Sequence, residues 1–322
     1  MRASIYLNQI KKHHSCLYRD DLVCRARCLV GIATDLSPIE ISPSTHLNPH
    51  QVSRLFVLLR RHLRGESLQH LQNQCEVLEF KGILPATALA PREETMYLMD
   101  LLAKKCVARW KENKCEMRNI RVLELGCASA LLLCSFVLRL EKYGYEGSVE
   151  IFGSDLVESF LDSAFKNCKQ LQLQLKHSKV VVEHVEFRHG SWWDPWLSDS
   201  GSLVNIAEKM SSNHSNWTSG FDVIFSNPPY IAMDDAMRVD TAVWLSESHL
   251  ALFAEGYMGL ACYNAILSNV KNALSPSGFL ALETGDRQVY DVLNLAKTFL
   301  GVTGDVVSDM EGVERFFIIA RQ

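Results

Sequence analysis

Apolar runs alternate with segments of helical periodicity along most of the chain after about residue 94. The runs IRVLELG, SVEIFGSD, VVVEHVEF, FDVIFSN and GFLALETG predict buried strands. The stretches between them, such as ALLLCSFVLRLEKY and ESFLDSAFKNCKQL, predict helices, and a last helix and strand end at RFFIIARQ. Strands separated by helices at this spacing predict an α/β fold, in which helices cover both faces of a mainly parallel sheet.

The preceding part of the chain has a different pattern. NPHQVSRLFVLLRRHL predicts an amphipathic helix that Asn48 caps before Pro49. Its predicted apolar face consists of Val52, Leu55, Phe56, Leu59 and Leu63. CEVLEFKGILPATALAPREET then predicts a linker or a hairpin, because short β-like pieces lie between prolines. We therefore expect a small helical domain before the α/β domain.

Composition and charge narrow the function classes. The 322 residues are 48% hydrophobic and 22% charged, which is typical of a globular protein with a sizeable core. The net charge of −4 argues against a main role in holding nucleic-acid phosphates. No apolar run approaches the roughly 20 residues that a membrane span needs, so no direct membrane contact is expected.

The ten cysteines are scattered and lie mostly in apolar stretches, which favours reduced core thiols. Without a CxxC pair or an HExxH motif, no metal site is expected. The first nineteen residues contain Arg2, Lys11, Lys12 and Arg19 and no acidic residue, which is typical of a mitochondrial transit peptide. A frayed basic terminus is the alternative, so the predicted location is mitochondrial or cytoplasmic.

Candidate site residues follow the predicted strands, because ligands of parallel sheets collect at the carboxyl ends of the strands. LELGCASA includes Gly126, which suits a tight turn beside a ligand or an ordinary strand-to-helix turn. Asp155 ends the next strand, where a carboxylate either accepts hydrogen bonds from ribose hydroxyls or caps a helix. In HGSWWDPW, Trp192 or Trp193 could cover an adenine face or belong to the core.

The stretch SNPPY ends the apolar strand FDVIFSN. Asn227 precedes a proline, which forces an extended backbone and directs its side-chain amide. Pro228 and Pro229 lack N–H groups, so their carbonyls can face a ligand, and Tyr230 adds a flat ring. The four residues suit a grip on a planar NH2 group, although a turn chosen only for rigidity would read the same way.

SNPPY after an apolar strand resembles the signature of methyltransferases that modify planar amino groups. The longer resemblance, from about Leu55 to Arg321, is to the PrmC/HemK release-factor glutamine methyltransferases. Its supporting pieces, in the family order, are LLRRHLRGESLQHL, FKGILPATALAPREET, VLELG, FDVIFSNPPYIA, ESHLALFAEGYMGLACYNAIL, LSPSGFLALETGDRQ and DMEGVERFFIIAR. The N-terminal helices separate this family from adenine methyltransferases.

The resemblance implies a Rossmann-like class I methyltransferase fold with S-adenosylmethionine as cofactor. Residues 1–30 are then a transit peptide or a disordered N-terminus, residues 31–84 a helical substrate-recognition domain and residues 85–322 the methyltransferase domain. The implied activity is methyl transfer to the side-chain amide nitrogen of a glutamine in a peptide chain release factor, by a chain expected to be a monomer.

The resemblance also assigns roles to residues. The loop Gly126, Cys127, Ala128, Ser129 and Ala130 would hold the methionine part of the cofactor. Asp155 would hold the ribose, Trp192 would lie near the adenine, and Thr95 would reach the cofactor carboxylate. Asn227 and Pro228, with Pro229 and Tyr230 beside them, would bind the substrate amide. The implied catalytic residues are Asn227, Pro228 and Tyr230, and Asn227 also borders the cofactor.

Several positions depart from the family pattern. The loop is G-C-A-S-A instead of glycine-rich, P-R-E-E-T-M replaces P-R-P-E-T-E, and Ser191 and Ser248 replace an acidic residue and a proline. A Cβ at Ala128 or Ala130 crowds the expected cofactor surface. Two alternatives therefore stay open: an adenine methyltransferase on DNA or RNA, and a non-catalytic binding protein that has lost the cofactor.

Overall fold

The computed structural model describes residues 19–112, 119–199, 203, 220–239, 243–244 and 247–321. The predicted transit peptide falls largely on residues outside this range, as does most of the insertion predicted between Trp196 and Gly220, so both stay predictions. The chain divides into two compact units, Met1–Gln74 with Val239–Glu247, and Cys75–Arg238 with Ser248–Gln322.

The first unit is helical in its described part. It contains α1 (Arg19–Thr34), α2 (Pro49–His62) and α3 (Leu68–Gln72). Asn48 caps α2 as predicted, because its side chain accepts from the Gln51 N–H while the Gln51 side chain accepts from the Asn48 N–H. Its core comprises Ala26, Leu29, Val30, Ala33, Ile41, Leu47, Leu55, Leu58 and Leu71.

The apolar face predicted for α2 was partly wrong. Leu55 is buried and Val52 and Leu59 pack against the core, whereas Phe56 and Leu63 are about half exposed. Phe56 follows Leu55 directly and therefore points about 100° away around the helix. Leu63 is the C-cap and lies beyond the last helical residue.

The second unit begins with β1 (Gln74–Val77) and β2 (Phe80–Ile83), which pair with each other. α4 (Glu93–Glu112) follows, and then the alternation that the sequence predicts. Its elements are β3 (Asn119–Leu125), α5 (Leu131–Lys142), β4 (Gly147–Asp155), α6 (Glu158–Gln174), β5 (Val180–His189), β6 (Phe221–Ser226), β7 (Ile231–Ala232), α7 (His249–Leu252), β8 (Phe253–Ala254), α8 (Ala261–Ala273), β9 (Leu274–Glu283), α9 (Val289–Leu300), β10 (Asp305–Ser308) and β11 (Glu314–Ala320).

Seven strands form one sheet in the order β10-β11-β9-β6-β3-β4-β5. The five strands from β9 to β5 are parallel, with Val122 opposite Val223 and Glu124 opposite Gly153. β11 is antiparallel to both of its neighbours. This topology confirms the predicted Rossmann-like class I methyltransferase fold. The short edge strand β10 was not predicted, because four residues give too little alternation to detect.

Core residues lie on both faces of the sheet. Neighbouring residues of one strand point to opposite faces, so Val122 belongs to the cluster that α4, α5 and α6 cover, and Leu123 to the cluster that α8 and α9 cover. Five cysteines of the described chain are buried thiols: Cys75, Cys106, Cys127, Cys134 and Cys168. No helix in the described ranges is long and apolar enough to cross a membrane.

Candidate functional site

A cleft opens where β3, β4, β5 and β6 end at the same edge of the sheet. Its empty volume is about 1060 Å³, including the part open to solvent, and a nucleoside-sized ligand requires a site of this order. Its walls include predicted residues from four strand ends: Gly126, Cys127, Ala128, Ser129, Asp155, Trp192, Asn227 and Pro229. The tertiary structure therefore brings together residues that are up to about a hundred positions apart.

The loop after β3 wraps tightly around the end of β4. The N–H groups of Gly126 and Cys127 both donate to the Ser154 carbonyl, at 2.8 and 3.0 Å. Gly126 has φ +75°, and Ala128 and Ala130 have φ +44° and +57°. The loop thus keeps the left-handed turns that glycine adopts readily, and the two alanines are strained there.

Asp155 ends β4 at the floor of the cleft. Its Oδ2 accepts from the Ala128 N–H and its Oδ1 from the Val157 N–H, each at 2.8 Å. Burial raises the pKa of this carboxyl, and the two backbone donors oppose that rise. Each oxygen retains capacity for a second hydrogen bond, so capping the turn and holding a ribose are compatible roles.

Glu124 is a wall residue that the sequence analysis did not single out. It is buried, and its Oε2 has no hydrogen-bond partner in the described chain. Burial raises the pKa of this carboxyl well above the usual range, and the charge of Asp155 raises it further. The sequence feature that could have identified Glu124 is its position two residues before Gly126, on the strand that leads into the loop. An unpartnered buried acceptor at this position suits a cationic or N–H-bearing ligand.

The two adjacent tryptophans separate into different environments. Trp193 is core, and its Nε1–H donates to the Ile266 carbonyl at 2.7 Å. Trp192 lines the cleft with φ +43°, and its ring lies 3.3 Å from where a Cβ on Gly126 would stand. Of the two candidates, Trp192 is therefore the one available to a planar ligand.

Asn227 stands in the cleft wall beyond the end of β6. Its Nδ2 donates to Thr95 Oγ1 at 3.2 Å, whereas its buried Oδ1 has no hydrogen-bond partner among the described residues. Thr95 is fully buried and is not a wall residue of the cleft. Instead of facing the expected cofactor carboxylate, its hydroxyl lies against Asn227 and the Glu283 carboxyl.

Pro228, Tyr230 and Ala130 are absent from the described walls of the cleft. Burial, and after it the charge of the neighbouring Glu283 carboxyl, raises the pKa of the Tyr230 phenol to about 12. Gln288 Nε2 donates to the Tyr230 carbonyl at 2.8 Å, and a Cβ on Gly285 would stand 2.9 Å from Tyr230 Cδ2. The turn after β9 thus fits closely against Tyr230, a contact that sequence spacing does not reveal.

Comparison with known proteins places the chain among methyltransferases, although no family model matches it. It is 27% identical over 282 residues to the release factor glutamine methyltransferase of Prochlorococcus marinus. The aligned region covers 86% of this chain and 82% of the relative. The corresponding protein of Streptococcus pneumoniae is 30% identical over 200 residues, covering 62% of this chain and 55% of the relative. The chain is thus similar in sequence to proteins named release factor glutamine methyltransferases.

Other similar proteins are longer or more distant. The bifunctional methyltransferase of Rickettsia typhi is 25% identical over 308 residues, which is 92% of this chain but only 52% of that protein. The chain thus spans about half the length of these bifunctional relatives. Among solved structures, a SAM-dependent methyltransferase from Agrobacterium tumefaciens matches with TM-score 0.43 and 15% identity, covering 77% of this chain and 70% of that one.

S-adenosylmethionine, the expected cofactor, fits the residues of the cleft. Glu124 offers an unpartnered acceptor for an ammonium group, Asp155 offers acceptor capacity for hydroxyls, and Trp192 offers a ring face. No group of three or more metal-ligating side chains occurs in the described ranges.

Proposed function

We propose that this chain transfers a methyl group from S-adenosylmethionine to the side-chain amide nitrogen of a glutamine in a peptide chain release factor. The observation that carries the proposal is the buried Asn227 Oδ1, an acceptor with no partner in the described chain at the wall of a cleft that fits the cofactor. A buried amide oxygen in this state is costly unless a donor arrives from outside.

The chain's residues provide the binding part of the reaction. Glu124 and the Gly126–Ala130 loop would hold the methionine part of the cofactor, Asp155 its ribose and Trp192 its adenine. When bound, S-adenosylmethionine supplies an electrophilic methyl carbon. The remaining requirement is a nucleophilic nitrogen held in line with that carbon.

Asn227 meets this requirement by positioning the substrate. An amide nitrogen is a weak nucleophile, because its lone pair is delocalised into the carbonyl group. Asn227 Oδ1 would accept one N–H of the glutamine amide and so fix the plane of the NH2 group. Holding the nitrogen in the reacting geometry removes much of the entropic part of the barrier. The surplus proton then leaves for water once the nitrogen carries the methyl group, so no strong base is required.

A release factor is the proposed substrate because the similar proteins from Prochlorococcus marinus and Streptococcus pneumoniae are named for that activity. An acceptor such as Asn227 Oδ1 would also suit an adenine amino group. The net charge of −4 favours the protein substrate over nucleic acid, because an adenine methyltransferase must also hold phosphates.

The first prediction tests the proposal through Asn227. The purified chain, labelled S-adenosylmethionine and a release factor should give a labelled factor. Asn227→Ala should lower the transfer rate by at least about 100-fold, because the amide loses its positioning contact. Calorimetry should show cofactor affinity within about threefold of the unchanged chain, since an alanine leaves the cofactor's other contacts intact.

Asn264→Ala is the matched control, since Asn264 is an exposed asparagine whose side chain bonds only its own helix in the described contacts. Its activity should be unchanged. Cofactor binding without label on any release factor would contradict the proposed substrate, and label on DNA or RNA would favour the adenine alternative. Absence of cofactor binding would reject the enzyme and leave a binding protein.

A further inference from the structure

Glu283 ends β9, the strand next to β6, and is buried near Thr95 and Tyr230. Its side chain is 2% exposed, and its Oε2 has no hydrogen-bond partner in the described chain. The hydroxyls of Thr95 and Tyr230 lie close enough to its carboxyl group to lower its pKa. A buried carboxyl in a core of this kind is costly, so it needs a reason beyond packing.

Thr95 connects Glu283 to Asn227, the residue proposed to bind the substrate amide. Thr95 has one hydroxyl proton, and donating it to Glu283 leaves the oxygen lone pairs for the Asn227 Nδ2–H, which approaches at 3.2 Å. Asn227 is thereby held with its NH2 end toward Thr95 and its Oδ1 on the opposite side. If the Asn227 side chain flipped, its Oδ1 would face Thr95 and its NH2 group would face the substrate. Two NH2 groups would then meet, and they repel each other because both are donors.

Tyr230 is held by the same carboxyl. Its hydroxyl lies beside the Glu283 carboxyl, and its backbone carbonyl accepts from Gln288 Nε2 at 2.8 Å. The Glu283 carboxyl therefore contacts both Thr95, which holds the Asn227 side chain, and Tyr230.

We propose that Glu283 is a positioning residue that, as a carboxylate, selects the side-chain orientation of Asn227 through Thr95 and anchors Tyr230, so that Asn227 presents an acceptor to the substrate amide. The role rests on the proposed function. Glu283 touches neither the cleft nor the reacting atoms in the described contacts, and it acts only through Thr95 and Tyr230.

The charges around Glu283 set the pH range in which this selection operates. Burial raises its pKa to about 7, Glu94 on α4 raises it further, and Arg315 on β11 and the two hydroxyl donors lower it. Below that pH the carboxyl is protonated and competes as a donor for the Thr95 oxygen, which weakens the preference for one Asn227 orientation. Methyl transfer should therefore increase as the pH rises through about 7.

The test compares two variants that differ in hydrogen-bonding capacity. Glu283→Met removes the acceptor at similar volume and should lower kcat/KM for the release factor by about 10- to 100-fold, the factor expected when a hydrogen bond to a charged group is lost. Glu283→Gln keeps one acceptor oxygen, so at pH 8 it should recover activity to within about fivefold of the unchanged chain. Its pH profile should lack the inflection near 7, because an amide does not titrate.

Asp222→Asn is the matched control. Asp222 is another buried carboxyl with a raised pKa, and its partners are the Arg121 N–H and the Ser275 hydroxyl, away from the cleft. It should affect stability and leave kcat/KM and the pH profile unchanged at a temperature where the protein is folded. Equal losses in all three variants, or an inflection that persists in Glu283→Gln, would reduce Glu283 to a structural role and overturn the proposal.

A second measurement does not depend on the substrate. The side-chain NH2 signal of Asn227, identified by its loss in Asn227→Asp, should shift with pH around 7 in the nuclear magnetic resonance spectrum, and this shift should be absent in Glu283→Gln. If no release factor is methylated but the signal titrates, the proposed function fails and the coupling of Glu283 to Asn227 stands. A signal that is insensitive to both pH and Glu283→Met would overturn the coupling itself.

Discussion

Two alanines in the loop after β3 have left-handed backbone angles, and each affects the stability of the protein in its own way. Ala128 is partly exposed with φ +44°, whereas Ala130 is fully buried with φ +57°. An L-residue with a Cβ pays about 1–2 kcal/mol for this conformation, and glycine does not. The two positions differ in what the Cβ contributes, because only the buried methyl group also fills the core.

Ala128→Gly should therefore stabilise the protein by about 0.5–1 kcal/mol after the greater entropy of an unfolded glycine is subtracted. Ala130→Gly should gain less, since it also loses about 0.8 kcal/mol for a buried methyl group. Urea unfolding monitored by circular dichroism measures both changes.

The control for these changes is Ala265→Gly in the middle of α8, which should destabilise by about 1 kcal/mol. A destabilised Ala128→Gly protein would show that the strain of the loop is balanced by a contact of the Cβ.

At the scale of elements, Asn167 connects α6 to two other segments. Its Oδ1 accepts from the Ile83 N–H at 2.7 Å, and its Nδ2 donates to the carbonyls of Ile83 and Ser129 at 3.0 and 2.8 Å. It is fully buried. One side chain thus joins β2, α6 and the Gly126–Ala130 loop that follows β3.

Asn167→Leu should destabilise the protein by about 2–4 kcal/mol, because it leaves buried backbone groups of Ile83 and Ser129 without partners. Thermal unfolding gives the change, and calorimetry should show weaker cofactor binding as the loop loses its support.

Gln170→Leu provides the comparison on the same helix. Its Nε2 donates to the Lys81 carbonyl from an exposed position where water can replace it, so the cost should stay below about 0.5 kcal/mol. Equal effects at the two positions would mean that burial of the Asn167 bonds contributes nothing.

At the scale of the whole molecule, buried acids that bind protons more tightly in the folded state shape the pH dependence of stability. The folded pKa of Glu283 is about 7, above its ordinary value of 4.5, and that of Glu124 is also raised. The folded state therefore holds more protons than the unfolded state between these values. Their contribution to stability is complete below about pH 4.5 and is lost as the pH rises through the folded pKa.

Between pH 5 and pH 8 the unchanged protein should accordingly lose about 2–3 kcal/mol more unfolding free energy than Glu283→Gln, in which this group cannot titrate. Urea titrations at the two pH values measure the difference. Parallel stability curves for the two proteins would show that Glu283 has the same pKa folded and unfolded.

The sequence alone determined the order and type of the main elements. Long apolar runs and helical periodicity predicted β3, β4, β6 and β9 and the helices around them, because these signals depend on neighbouring residues. The capped start of α2, the ends of the strands and the NPPY turn were predicted for the same local reason. The family resemblance supplied the expected roles of Asp155, Asn227 and the loop.

Only the tertiary structure decided which polar groups meet. Asn227 follows β6 and Glu283 ends β9, so both lie at the edge of the sheet where the parallel strands end. Thr95, in the first turn of α4, contacts both of them there. Trp192 and Trp193 are identical in type and adjacent in sequence, yet the fold directs one into the cleft and the other into the core. Burial and partner choice depend on residues distant in sequence, so local patterns could not predict the unpartnered Asn227 Oδ1 or the buried Glu283.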